Sequence, residues 1–162
     1  MVTSILMVAL TGLPGGIVGA VPKWHSDYSV ALKQAEGAKK PLAVILAPGE
    51  RGYERLARER GLSAEVQKTL ASEYVCLHID TAEAAGMRLA AEFEMPSGLG
   101  IVISGRSGAF QAFRHEGTLA NGDLTRYLVK YGDPDRVLTR TESNPGDERP
   151  VIRSTSFENC AT

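Results

Sequence analysis

The sequence predicts an α/β domain in three layers, a mixed central β-sheet flanked by helices. Three observations carry this reading. Short apolar runs alternate with stretches of helical period, the pattern of helix-linked parallel strands. The tetrad Gly105-Arg106-Ser107-Gly108 separates two of those runs by a short turn, which forces one antiparallel pair. The composition is that of an ordinary globular domain: 162 residues, 43% hydrophobic, 23% charged, net charge −1.

Ser26 or Asp27 can cap a first helix in which Tyr28, Ala31, Leu32 and Ala35 recur at i, i+3, i+4 and i+7, with Gly37 at its end. Pro41 then introduces Leu42 to Ala47, a continuous apolar run suited to a strand covered on both faces. Pro48-Gly49 breaks it. Tyr53 to Arg60 reads as a helix supported by Glu54–Arg58 and Arg55–Glu59 pairs. Ser63 can cap another helical stretch carrying Val66 and Leu70, and Tyr74 to Ile79 is the next strand, stopped at Asp80. Thr81 caps a helix with Ala82, Ala85, Leu89 and Phe93 along one face. The loop Met95 to Leu99 leads to the strand Gly100 to Ile103, the turn, and a strand from Ala109 to Arg114. Leu124, Tyr127, Leu128 and Tyr131 mark a closing helix that Asp133-Pro134 ends.

These elements occupy residues 23–137. Residues 1–22 read as a signal peptide or a disordered N-terminal segment. They hold the run Ile5 to Leu10, and small residues Val18 and Ala20 favour cleavage after Ala20. No Lys or Arg precedes the run, so a truncated start and a packed segment stay open beside export. Export would place the protein in the periplasm or outside the cell; otherwise it is cytoplasmic. Residues 138–162 are polar and scattered, and cannot bury enough surface to offset the entropy of ordering, so a disordered tail is expected. No apolar run reaches the roughly 18 residues of a membrane span. The balanced charge argues against a nucleic-acid binder.

The order of elements resembles the thioredoxin fold from Trp24 to Tyr131. Trp24, Asp27-Tyr28, Ala31-Leu32, Ala35 and Lys40-Pro41-Leu42 resemble the opening of many exported thioredoxin-like domains. Tyr74-Val75, Ile79-Asp80, Leu89-Ala90, Phe93, Ile101 to Ile103 and Gly108 resemble the second half. In that family the first long strand ends in Ala shortly before a Cys-x-x-Cys that opens a helix. Matching Ala47 and Leu56 to those landmarks without a gap places Glu50 and Tyr53 at the two cysteine positions, Arg51-Gly52 between them and Glu54 at the following lysine. The buried acid of the family maps to Val44. The loop proline, cis in the family, maps to Leu99, followed by Gly100 where Thr is usual; a loop deletion would move Pro96 into that role. A non-proline cis bond costs about 3 kcal/mol, so Leu99 is expected trans.

Thiol–disulfide exchange needs a thiolate, whose pKa a helix N-terminus lowers, and a second thiol to close the disulfide. A carboxylate at 50 and a phenol at 53 can do neither. No cysteine occurs before Cys76. Cys76 lies in mid-strand and reads as a small core hydrophobe. Cys160, in the tail, can stay free, bridge to Cys76 or pair between molecules. His25, His78 and His115 lack ligand spacing, so no metal site is expected, and ordinary surface histidine is the default. Arg51, Arg55, Arg58 and Arg60 are largely neutralised by Glu50, Glu54 and Glu59, although Arg51 at a helix start can receive a carboxylate or phosphate. Gly98-Leu99-Gly100 lacks the third glycine of a dinucleotide fingerprint, and no Walker lysine or Gly-x-Ser-x-Gly elbow occurs. No cofactor is expected.

What the resemblance implies is a thioredoxin-like domain, without its redox chemistry, that binds a protein or peptide as an accessory module. Glu50, Arg51, Tyr53, Leu99 and Gly100 form the candidate interaction patch, with no catalytic residue. The alternatives are a divergent oxidoreductase using Cys76 or Cys160, and a structural protein dimerised through Cys160.

Overall fold

The apolar run after Pro41 becomes the middle of the sheet. In a computed structural model, which describes residues 21–106, 111–134 and 141–143, Leu42–Ala47 is a strand (β2) buried along its whole length. It lies between β3 (Val75–Asp80), to which it is parallel, and β4 (Gly100–Ser104), to which it is antiparallel. A strand with two covered faces and two neighbours exposes no polar backbone, which is why it carries only small and aliphatic side chains. β5 (Gln111–Glu116) pairs antiparallel with β4 from Gly100–Glu116 to Ile103–Phe113, with a register shift at Ile103/Ser104. The expected antiparallel pair is therefore present, and the strand runs two residues further than Arg114; residues 107–110 of the turn lie outside the described residues.

Two short strands extend the sheet. β1 (Trp24–His25) pairs parallel with β3, and β6 (Glu142–Ser143) pairs parallel with β5, so the order is β1-β3-β2-β4-β5-β6. β6 falls inside the stretch whose composition predicts disorder. The Tyr131 hydroxyl donates to Glu142 Oε2 at 2.6 Å and the Lys130 ammonium pairs with the same carboxylate, a local anchor that mean polarity conceals. Residues 1–20 and 144–162, including Cys160, lie outside the described residues.

Helices cover both faces. α1 (Tyr28–Ala38) and α3 (Ala84–Glu92) pack with Val44, Leu46, Leu77 and Val102 on one side. α2 (Ala64–Glu73) and α4 (Asn121–Gly132) pack with Ile45, Cys76, Ile103 and Phe113 on the other. Asp27 caps α1 through Val30 N–H at 2.8 Å, and Ser63 caps α2 through Val66 N–H at 3.2 Å. α1 passes the expected stop at Gly37 and ends at Lys39, which takes a left-handed conformation (φ 53°) so that its N–H can close on the Ala35 and Glu36 carbonyls.

Thr81 does not cap α3. Its hydroxyl donates to the Gly98 carbonyl at 2.7 Å, the helix begins at Ala84, and the buried positions are Gly86 and Ala90 with Leu89 and Phe93 half-buried. Gly86 faces the end of β3 so closely that a Cβ would stand 1.9 Å from the Asp80 carbonyl oxygen.

Candidate functional site

At the carboxyl end of β2 the chain turns at Gly49 (φ 94°), whose N–H donates to Asp80 Oδ1 at 2.7 Å. The same oxygen accepts from Ala82 N–H at 2.8 Å, and these two backbone donors hold the Asp80 carboxyl below its ordinary range. One carboxylate thus ties the loop after β2 to the loop after β3.

The expected helix from Tyr53 to Arg60 is instead a five-residue 3-10 helix, Gly52–Leu56. Gly52 sits against the end of β2, where a Cβ would stand 2.8 Å from the Ala47 carbonyl oxygen. The helix stops because Leu56 and Ala57 are buried and Ala57 is extended, bridging to Leu119. Leu119 N–H donates to the Leu56 carbonyl and Arg58 N–H to the Leu119 carbonyl, both at 2.9 Å, so this backbone is committed to a sheet-like bridge. The pairs Glu54–Arg58 and Arg55–Glu59 need a continuous α-helix and are absent among the described residues. Glu54 pairs with Arg51, and the Glu59 carboxylate accepts from the Asn121 backbone and side-chain amides at 3.1–3.2 Å. The Gly52 N–H donates to the Gly49 carbonyl at 2.8 Å and the Glu54 N–H to the Arg51 carbonyl at 3.2 Å, so two of the first backbone donors of this five-residue helix are already committed.

Tyr53 is the residue around which the site is built. Its ring stacks on Trp24 (centroids 4.5 Å apart, planes at 19°) and meets His78 edge-on at 5.5 Å. His78 is 9% exposed, its Nε2 stands 3.3 Å from the Ala47 carbonyl oxygen, and burial pushes its pKa down. Its neutral ring therefore backs the aromatic pair. A cavity of about 330 Å³ opens beside Tyr53, lined among others by Trp24, Arg51, Glu54, Arg60 and Leu62.

The five patch residues divide between two sides of β2. Glu50 and Arg51 are exposed and Tyr53 is half-buried, and Arg51 and Tyr53 line the cavity on the side of β1 and β3. Gly100 pairs with Leu46 on the β4 side and is buried; at φ 153° a Cβ would come within 2.2 Å of the His115 carbonyl oxygen, so it presents no side chain and admits none. Leu99 is half-buried and its carbonyl accepts from Gly117 N–H at 2.7 Å, so that carbonyl is already satisfied within the fold. The peptide bond before Leu99 is trans, and no cis bond occurs among the described residues.

Cys76 stands in β3 opposite Ala43 and Trp24, facing α2, at 2% exposure. Its Sγ lies 3.6 Å from the Leu70 carbonyl oxygen, and burial pushes the thiol up to about 12. Val44, which the sequence resemblance matches to a buried acid, is an aliphatic core residue on the opposite face.

Periodicity misassigned two histidines. His78 and His115 are 9% and 8% exposed rather than superficial, because β3 and β5 are both covered on the face they share. Trp24, His78 and Arg60 are site residues that spacing could not find. Trp24 enters through a two-residue strand, and Arg60 through a left-handed bend (φ 57°) after the broken helix. Among the described residues no three His, Cys, Asp or Glu side chains are grouped to hold a metal, and no helix is long and apolar enough to cross a membrane.

No protein-family model matches the sequence, and no curated protein does. Solved structures do. A thioredoxin from Thermus thermophilus matches at TM-score 0.54 and 18% identity over 68% of this chain and 86% of its own. The C-terminal domain of Neisseria meningitidis DsbD, in its oxidised form, matches at TM-score 0.48 and 10% identity over 67% of this chain and 99% of its own. A mixed sheet with β2 parallel to β3 and antiparallel to β4, helices on both faces and this likeness to a thioredoxin lead to one conclusion: the chain has a thioredoxin-like fold.

Proposed function

We propose that this domain is an exported binding module for a protein or peptide, using the end of the fold at which relatives exchange disulfides, without performing that exchange. The observation that carries the reading is chemical. The match of Ala47 and Leu56 to the family's landmarks puts Glu50 and Tyr53, just before and within the 3-10 helix, at the positions of its two cysteines, and the nearest cysteine in sequence is a buried thiol on a neighbouring strand. Tyr53 and Arg51, one wedged between Trp24 and His78 and the other exposed, give a surface with both an aromatic anchor and a charge, the residue types that dominate binding energy at interfaces. Leu99 and Gly100 belong to the β4 side of β2, away from the cavity that Arg51 and Tyr53 line.

Insulin reduction in the presence of dithiothreitol tests the loss of redox activity. The protein is expected to leave the precipitation rate at the dithiothreitol background, and Cys76→Ser to change nothing. Turnover abolished by Cys76→Ser would establish the oxidoreductase alternative instead. For the patch, Tyr53→Ala combined with Glu50→Ala is expected to release co-purifying protein or peptide; retention of every partner by the double variant refutes it.

A further inference from the structure

The cavity beside the 3-10 helix has the chemistry of a carboxylate site. At about 330 Å³ it lies at the small end of the range for ligand pockets, which suits one or two amino-acid residues and excludes a long segment. The stacked rings of Trp24 and Tyr53 and the apolar side chains of Val21 and Leu62 favour a ligand with an apolar body. Its charged lining is Arg51, Arg60 and Glu54, two positive charges and one negative. A cationic ligand would meet a net positive wall, and a compact dianion such as phosphate would leave the apolar walls unused. A single negative charge on an apolar body matches both. The Arg60 guanidinium has no hydrogen-bond or carboxylate partner among the described residues, whereas that of Arg51 is held by Glu54.

We propose that this cavity binds a monocarboxylate bearing an apolar side chain, the C-terminal residue of a peptide or a free acid of the same form. The carboxylate is taken by Arg60 with Arg51, and the side chain lies against Trp24 and Tyr53. Guanidinium groups suit the task because their planar donors match a carboxylate in charge and geometry. Glu54 competes with the ligand for Arg51. The inference rests on the reading of this domain as a binding module and names the class of ligand.

Trp24 is the sole tryptophan of the chain, so its fluorescence reports on the cavity directly. The full chain is titrated with N-acetyl-phenylalanine, its amide, and a phenylalanine-ended peptide with a free or an amidated terminus. Both free acids are expected to shift Trp24 emission saturably, with the amides at least about 10-fold weaker, the loss of one charge-assisted contact. Arg60→Gln is expected to weaken the acids by a similar factor and leave the amides unchanged. Glu54→Gln, which frees Arg51, is expected to tighten the acids several-fold. Urea unfolding of both variants at the wild-type midpoint confirms that the exposed substitutions leave the fold intact. Tighter binding of the peptide than of the acetylated residue supports the site and assigns it to chain termini; equal binding supports it and assigns it to free acids. Acid and amide binding alike overturns the carboxylate site while leaving the binding-module reading in place. No emission change with any of the four probes overturns the site itself, and the insulin experiment still decides the redox question separately.

Discussion

The thiol of Cys76 lies 3.6 Å from the Leu70 carbonyl oxygen, and its removal from water holds it protonated up to about 12. Only the thiolate is a nucleophile, so a thiol held protonated by burial is expected to react slowly in the native protein. Iodoacetamide at pH 8 is expected to leave Cys76 unmodified in buffer and to alkylate it in urea, read by the mass of its peptide. Native-state reaction at the rate of an exposed cysteine would contradict the burial. The same shift makes stability depend on pH with a definite sign. An unfolded cysteine loses its proton near about 8.5, whereas the folded one keeps it to about 12. Stability is therefore fully present below the lower value and falls as pH rises between the two. Tyr74, also raised by burial, acts in the same direction, so the urea midpoint should drop from pH 8 to pH 10.5. The core role of Cys76 was legible from its place between Val75 and Leu77. The burial of His78 was not, because a polar residue in an apolar run does not announce which face it occupies.

At the scale of elements, the caps of α1 and α2 were readable because a cap is a local event: Asp27 and Ser63 each reach an amide three residues on. The broken helix after Gly52 was not readable, since its interruption comes from Leu119, far along the chain. Asn121 is the residue that holds this junction. Its side-chain oxygen accepts from Ser63 N–H at 2.9 Å, and its amide donates to the Gly61 carbonyl at 3.0 Å and to Glu59 at 3.1 Å. Asn121→Ala removes all three while keeping the helix start. At about 0.5–1.5 kcal/mol for a typical hydrogen bond, and less where water competes, a loss of about 2 kcal/mol is expected in urea unfolding. A loss below about 0.5 kcal/mol would show that the junction is held by packing alone. Failure at Thr81 has a similar origin: its hydroxyl is spent on Gly98, and α3 shifts its buried face to Gly86 and Ala90 so that it can lie directly on the end of β3.

For the molecule as a whole, the three layers divide the apolar residues into two cores, one with α1 and α3 and one with α2 and α4, and Cys76 belongs to the second. An intrachain bond to Cys160 would require that sulfur to leave the core or the tail to enter it. Intact mass after mild oxidation is thus expected to show no loss of two hydrogens within a monomer, with any disulfide present as a dimer through Cys160. A monomer lighter by two hydrogens, restored by reductant, would place Cys76 within reach of the tail. The same spectrum locates the N-terminus and tests removal of residues 1–20.

Alternation of apolar runs with helical periods and the turn after Ser104 were enough to specify the layers and the mixed sheet. Those are properties of local pattern and of composition, and they survive any uncertainty in how elements meet. Which side chains surround Tyr53, why its helix stops after five residues, and why Gly100 closes one flank of the patch were decided by the tertiary structure. Each depends on a contact between residues distant in sequence, and such contacts exist only once the strands have taken their order in the sheet.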